Sequence, residues 1–378
     1  MKNQLKQMAL VVLLAATGAA QADINVGVTV CATGPAAVLG APEKNTTTLF
    51  PATIGNEKIN FIVLDDATDP TAAAKNAAKL IMDNKVDIII GSSTTATTAA
   101  ILDTALEAKT PVISLSPIDL AGDKDKWTFR TPQHNKLMAT ALIEHMKANG
   151  VKSLGFIGFA DVYGESWLKV MEPMAQAAGI SFGPVERFNR TDTSVNGQVL
   201  KLVAANPDAV LVVGSGAPAA LPHTTLSERG YKGKIYQTHG APSPAFLKIG
   251  GKAVEGGLLV AGPLLEWSQL PDSAATKKVA AAYAKQYEEK FGAGTLSSFG
   301  GHMWDAWALL SRAIPTALKK AKPGTEAFRA ALRDAIENEK EVVGVHGVFN
   351  MSPTDHFGHD IRARVMMRVE NGGFKIIK

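Results

Sequence analysis

The sequence predicts an α/β protein made of two doubly wound parallel-sheet lobes, and three observations carry that reading. From Ile24 onward, short β-branched runs alternate with longer Ala-rich stretches of helical period, the pattern of a parallel sheet covered by helices. The chain has 378 residues, 46% apolar and 20% charged, which suffices for two cores of ordinary size. No repeat with a period of about 20–50 residues and no low-complexity linker separates the halves, so the lobes are expected to share several connections.

At the start, Lys2 and Lys6 precede an apolar stretch, Met8 to Ala16, and Ala20-Gln21-Ala22 forms a small-residue cleavage signal. Residues 1–22 therefore read as a secretory signal peptide. The apolar stretch falls short of the ~20 residues a bilayer requires, and no later segment reaches that length, so a soluble exported protein is expected. Loss of the two signal lysines lowers the formal net charge from +4 to about +2, with no basic cluster, which argues against a nucleic-acid partner. The single cysteine, Cys31, cannot form an internal disulfide and reads as a small buried residue of the first mature strand.

Strands are expected at 24–30, 59–64, 86–90, 111–114, 153–159, 208–213, 234–237 and 257–261. Helices are expected between them at about 71–84, 95–108, 134–149, 164–178, 194–205, 217–229 and 242–249. Each strand and its following helix make one right-handed crossover. Past Gly262-Pro263 the order changes to long amphipathic helices at 272–291, 299–320 and 325–337; Ala280, Ala284 and Tyr287 mark one apolar face, and Met303, Trp307 and Leu310 another. Residues 343–349 and 361–369 read as strands, and Glu370-Asn371-Gly372-Gly373 as a hairpin leading into Phe374–Ile377. The expected lobes are 23–132 with 264–346, and 133–263 with 347–378.

In such sheets, ligands sit beyond the carboxyl ends of the strands. Six hydroxyl residues crowd the seven positions after Gly91, at the start of a helix whose positive end favours a carboxylate. Capping requires only one of them. A second hydroxyl cluster, Ser114-Leu115-Ser116-Pro117, ends the next strand on the same edge. Gly214-Ser215-Gly216-Ala217-Pro218-Ala219 matches G-x-G-x-x-A, but the next strand ends Gln237-Thr238-His239 where a dinucleotide fold needs an acid for the ribose. Those glycines read as a tight turn near the ligand, and no cofactor is implied. Gly164-Glu165-Ser166-Trp167-Leu168 lacks the second glycine of a nucleophile elbow and reads as a helix start. His346, His356 and His359 with Asp355 and Asp360 match no standard zinc spacing. No catalytic motif is present, and an exported hydrolase using Ser166 or a hydroxyl at 92–95 is a remote alternative.

Thr33-Gly34-Pro35-Ala36-Ala37, Leu64-Asp65-Asp66-Ala67-Thr68-Asp69-Pro70, Ile90-Gly91-Ser92-Ser93, Val112-Ile113-Ser114 and Tyr163-Gly164-Glu165 occur in an order and spacing that resemble the periplasmic solute-binding proteins of ABC importers, in the branched-chain amino-acid (leucine-binding) family. The resemblance covers almost the whole mature chain. It implies a type I periplasmic binding protein: two lobes, three crossing segments, a ligand in the cleft, hinge closure, no enzymatic activity and an inner-membrane permease as partner. It places carboxylate-binding positions on Ser93, Thr94 and Thr95 and on Ser116, Pro117 and Ile118, and a ligand-covering tyrosine on Tyr163.

Two departures matter. Where the amino-acid binders of the family carry an acid for the ligand's ammonium group, this chain has His239, which as a neutral ring offers no comparable charge-assisted bond. Between Gly40 and Ile59 the sequence is also compact, so the family's first helix must be shortened or rebuilt. With Thr191-Asp192-Thr193-Ser194 and Phe349-Asn350-Met351-Ser352-Pro353, this looks like the subgroup associated with aromatic carboxylic acids. The expected ligand contacts are Ser93, Thr94, Thr95, Leu115, Ser116 and Pro117 from the first lobe, and Tyr163, Ser215, Gly216, Ala217, His239 and Gly240 from the second. A benzoate- or hydroxycinnamate-type acid, bound by a periplasmic monomer without metal, is the expectation; a branched-chain or other aliphatic amino acid is the alternative.

Overall fold

The β-branched runs become two sheets in a computed structural model that describes residues 23–377; the signal-peptide reading of 1–22 lies outside the described residues. The first sheet contains β1 (Ile24–Val30), β2 (Thr53–Ile54), β3 (Glu57–Asp65), β4 (Ile88–Gly91), β5 (Val112–Ser114) and β6 (Thr128–Arg130). Their spatial order is β2-β3-β1-β4-β5-β6, parallel except where β2 pairs antiparallel with β3. The second sheet contains β7 (Ser153–Phe159), β8 (Ser181–Phe188), β9 (Ala209–Val213), β10 (Lys234–Gln237), β11 (Leu258–Ala261), β14 (Val365–Glu370) and β15 (Gly373–Ile377). It runs β15-β14-β11-β10-β9-β7-β8, with β14 alone reversed, antiparallel to both β11 and β15. Two-residue strands β12 (Val342–Val343) and β13 (Val348–Phe349) pair apart from both.

Period-2 burial puts helices on both faces of each sheet. Ile24, Val26, Val28 and Val30 pack on Met303, Trp307 and Leu310 of helix Ser298–Leu318, whereas Ile89 and Val112 pack on Ala73, Ala77 and Leu80. In β11, Leu258 and Val260 join the core containing Met138 and Leu142, while Leu259 and Ala261 join the opposite one with Ala220 and Phe246. The chain leaves the first lobe after β6, returns after β11 to lay helices Thr276–Phe291, Ser298–Leu318 and Glu326–Glu337 on it, and crosses again before β14. Phe349 and Met351, expected in the second lobe, pack into the first lobe's core instead. No helix among the described residues is long and apolar enough to cross a membrane.

Several local expectations change. The compact segment after Gly40 is a helix, Ala37–Thr47, that continues through Pro42. It persists because helix Ser298–Leu318 packs closely against it: a Cβ on Gly300 would lie 2.9 Å from Thr46 Oγ1 and 3.2 Å from the Pro42 carbonyl. Gly183-Pro184 hides β8 in the sequence, yet it is an edge strand, where a missing N–H costs no ladder bond. The run expected as a strand at 343–349 is broken at 344–347, because the N–H groups of Val345 (2.6 Å) and His346 (3.1 Å) donate to the buried Asp305 carboxyl. The start of the expected strand at 361–369 is a 3₁₀ turn, Ile361–Ala363.

Candidate ligand-binding site

β4 stops at Gly91, whose φ of 136° and whose missing Cβ, which would lie 2.1 Å from the Thr29 carbonyl, restrict the position to glycine. The hydroxyls that follow serve mostly the protein itself. Ser92 Oγ donates to Asp66 Oδ2 at 2.6 Å. Ser93 Oγ accepts from the Cys31 N–H at 2.9 Å and contacts Glu43 Oε2. Thr94 caps helix Thr95–Glu107 through a reciprocal pair with Thr97. Thr98 Oγ1 bonds the Ser92 carbonyl (3.0 Å) and Ser116 Oγ (2.8 Å), tying the β4 and β5 ends together. Among the six, Thr95 alone keeps a hydroxyl without a protein partner, at the first turn of the helix, where N–H groups are also open. The surplus of hydroxyls thus builds a rigid rim and leaves its donors at the helix end.

Across the cleft, Asp161 Oδ1 caps helix Val162–Ala177 by accepting from the N–H groups of Tyr163 (2.9 Å) and Gly164 (3.1 Å). Its Oδ2 accepts from Arg190 Nε at 2.8 Å, and Arg190 Nη1 donates to Ser215 Oγ at 2.7 Å. The guanidinium lies 4.1 Å from the Phe159 ring centroid, and its Nη2 makes no hydrogen bond among the described residues. Tyr163 Oη bonds Thr238 Oγ1 at 2.8 Å, and burial pushes this phenol up to about 12.

These groups surround one cavity, about 410 Å³ when the open solvent at its mouth is counted. It is lined by the expected Ser93, Thr94, Thr95, Leu115, Ser116 and Pro117, and by Tyr163, Ser215, His239 and Gly240. Gly216 and Ala217 do not line it. Gly216 adopts φ 58° and sits under Val38 of the opposite lobe, where a Cβ would fall 2.2 Å from Val38 Cγ1; Ala217 begins the 3₁₀ turn Ala217–Ala219 behind the rim. Sequence reasoning missed Leu39, Pro132, Arg190, Phe299 and His302. Recognition of β8 would have revealed Arg190, since Asn189-Arg190 follows its carboxyl end.

His239 and His302 close the far wall, 6% and 3% exposed. Both ring nitrogens of His239 and Nδ1 of His302 lack protein partners. Burial pushes the His239 ring down to about 3, with His346 and His134 adding to it, and likewise holds His302 well below the usual imidazole range, so both are neutral donor–acceptor groups. No group of three or more His, Cys, Asp or Glu side chains among the described residues is arranged to hold a metal ion. The His346 ring packs on His302 at 4.2 Å between centroids, His356 bonds the Asp125 carbonyl, and His359 packs on Phe349. Ser166 Oγ donates to the Tyr163 carbonyl inside the first helical turn.

A cavity enclosed by the strand ends of two α/β lobes with three crossings defines a two-lobed solute-binding protein. The chain belongs to the periplasmic binding protein family, whose model matches residues 23–373. It is similar to an extracellular ligand-binding receptor from Rhodopseudomonas palustris, 48% identical with a TM-score of 0.92, the match covering 94% of this chain and 99% of that one. A Leu/Ile/Val-binding protein homolog 1 of Brucella suis is 26% identical over 276 residues, 69% of this chain and 73% of the relative. A leucine-binding protein of Thermotoga maritima, 24% identical with a TM-score of 0.81 over 94% of this chain and 98% of its own, shares the fold. These relatives are binding proteins and receptors.

Proposed function

We propose that the protein is the solute-binding component of an ABC uptake system in the periplasm, capturing a small aromatic carboxylate and delivering it to an inner-membrane permease. The observation that carries this reading is the charge of the cavity wall: of its fifteen lining residues one is Arg190 and none is Asp or Glu. An acid finds a guanidinium, a helix N-terminus and the Thr95 hydroxyl; an ammonium group finds no counter-ion. Leu39, Leu115, Pro117, Pro132 and Phe299 supply apolar surface for a ring, and the neutral imidazoles of His239 and His302 can meet a ring hydroxyl. Ligand contacts from both lobes stabilise the closed form, because only differential contact shifts the equilibrium.

A branched-chain amino acid is the second reading, favoured by the name of the Brucella relative. Thermal unfolding of the mature protein against benzoate, 4-hydroxycinnamate, leucine, valine and short dicarboxylates separates the two. A ligand at ~100 times its dissociation constant adds roughly 2.7 kcal/mol of stability. A midpoint shift with leucine or valine and none with any aromatic acid would sink the aromatic reading.

A further inference from the structure

We propose that Glu43 is a buried carboxylic acid that donates its proton to Ser93 Oγ, thereby aiming the Ser93 hydroxyl hydrogen at a bound anion. The inference rests on the organic-acid reading of the cleft. Glu43 is completely buried in helix Ala37–Thr47; its Oε2 contacts Ser93 Oγ, and its Oε1 has no partner. Asp66 lies close enough to act on it, and a neighbouring acid disfavours ionisation of Glu43. The Asp66 carboxyl accepts from Thr29 Oγ1 (3.1 Å), Ser92 Oγ (2.6 Å) and the Thr68 N–H (3.1 Å). Glu43 has a single hydrogen-bond partner and makes no ion pair, so the proton resides there.

Other titratable groups around this helix do not supply a counter-charge. Cys31, from the end of β1, keeps its proton because burial, with Asp66 and Glu43 nearby, pushes the thiol up to about 12. Helix Thr276–Phe291 contributes Tyr283, a phenol bonded to Thr46 Oγ1 at 2.8 Å, and helix Ser298–Leu318 contributes His302, held neutral by burial, and Asp305, bonded to Val345 and His346. Burial holds the Glu43 carboxyl well above the usual carboxylate range, opposed by the Ser93 contact and reinforced by Asp66.

The consequence lies one bond away, at a residue lining the cavity. Ser93 Oγ already accepts from the Cys31 N–H. When Glu43 donates to it as well, both lone pairs are engaged and the hydroxyl hydrogen is left to point into the cavity, where a carboxylate accepts it. An ionised Glu43 would draw that hydrogen back and set a buried anion behind the rim. Glu43 is therefore a positioning residue that acts through Ser93.

Infrared spectroscopy and calorimetry on the mature protein test this, with benzoate and 4-hydroxycinnamate as probes. At pH 8 the wild type should show a protonated-carboxyl band that Glu43→Gln lacks. Above the pH at which that band vanishes, wild-type affinity should fall about tenfold per pH unit. Glu43→Gln, whose amide also donates to Ser93, should bind without that alkaline limb, whereas Glu43→Leu should bind about tenfold more weakly. Identical carboxyl absorption in wild type and Glu43→Gln overturns the proposal, as does tenfold tighter binding by Glu43→Gln, the result expected from removing an anion. If Glu43→Gln does not fold, Ser93→Ala must shift the band, and an unshifted band is equally decisive. Should no carboxylate bind the wild type, the acid reading falls while the infrared comparison still decides where the proton resides.

Discussion

Replacing His223 by Asn should remove one proton's worth of acid sensitivity from folding. His223 is 2% exposed, outside the lining of the ligand cavity, and burial pushes its ring down to about 4 from 6.5. The Gln237 amide lies 3.3 Å from its Nδ1, and the shorter Asn side chain retains an acceptor without titrating. The unfolded chain takes up a proton near pH 6.5 and the native ring does not until about pH 4. Stability from this group is therefore fully present above pH 6.5 and is lost as the pH falls toward 4. Between pH 7 and 5.5 the loss amounts to about 1.2 kcal/mol. The whole-protein profile does not isolate it, because Asp305, pushed up to about 8 by burial, and Glu43 carry the opposite sign while the buried His239 and His302 carry the same one. Urea unfolding of both proteins at pH 7, 6.25 and 5.5 isolates the difference, since those groups are common to both. Parallel curves, with a gap independent of pH, would refute a neutral buried His223.

Two further outcomes concern the cavity. Arg190→Gln should weaken 4-hydroxycinnamate binding roughly 10- to 100-fold in calorimetry, the loss of a charge-assisted contact worth about 1.5–3 kcal/mol, and the loss should shrink little in high salt because the side chain is only 15% exposed. Gly240→Ala would place a Cβ 2.6 Å from the Gly214 carbonyl and 2.7 Å from Tyr163 Oη, so it should displace the tyrosine and lower both melting temperature and affinity.

The architecture was legible because its signals are repetitive: a buried parallel strand is apolar throughout, as in Ile88–Ile90, and each is followed by a helix. β7 and β10 have the expected bounds. Elements that exist only through their neighbours were less visible. β6 is three residues long, and helix Ala37–Thr47 has Thr-rich and proline-containing sequence that only its packing partner explains. Likewise, ten of the twelve expected cavity residues line it, because they follow strand ends that the alternation itself reveals. Arg190 follows the one strand disguised by proline, and Phe299 and His302 sit on a helix whose dominant signal is its apolar stripe. Glu43 carried no signal at all, since a lone acid in a short polar run reads as solvated until burial is known.

Gly216 does not line the cavity, yet it sits where the two lobes meet. Because Val38 of the other lobe rests against its bare backbone, any side chain at 216 acts as a wedge in the jaw of the molecule. The measured affinity equals the intrinsic affinity of the closed site scaled by the fraction of molecules closed. A residue outside the cavity lining would therefore retune capture mainly through the closed fraction, and only secondarily through neighbours such as Leu39.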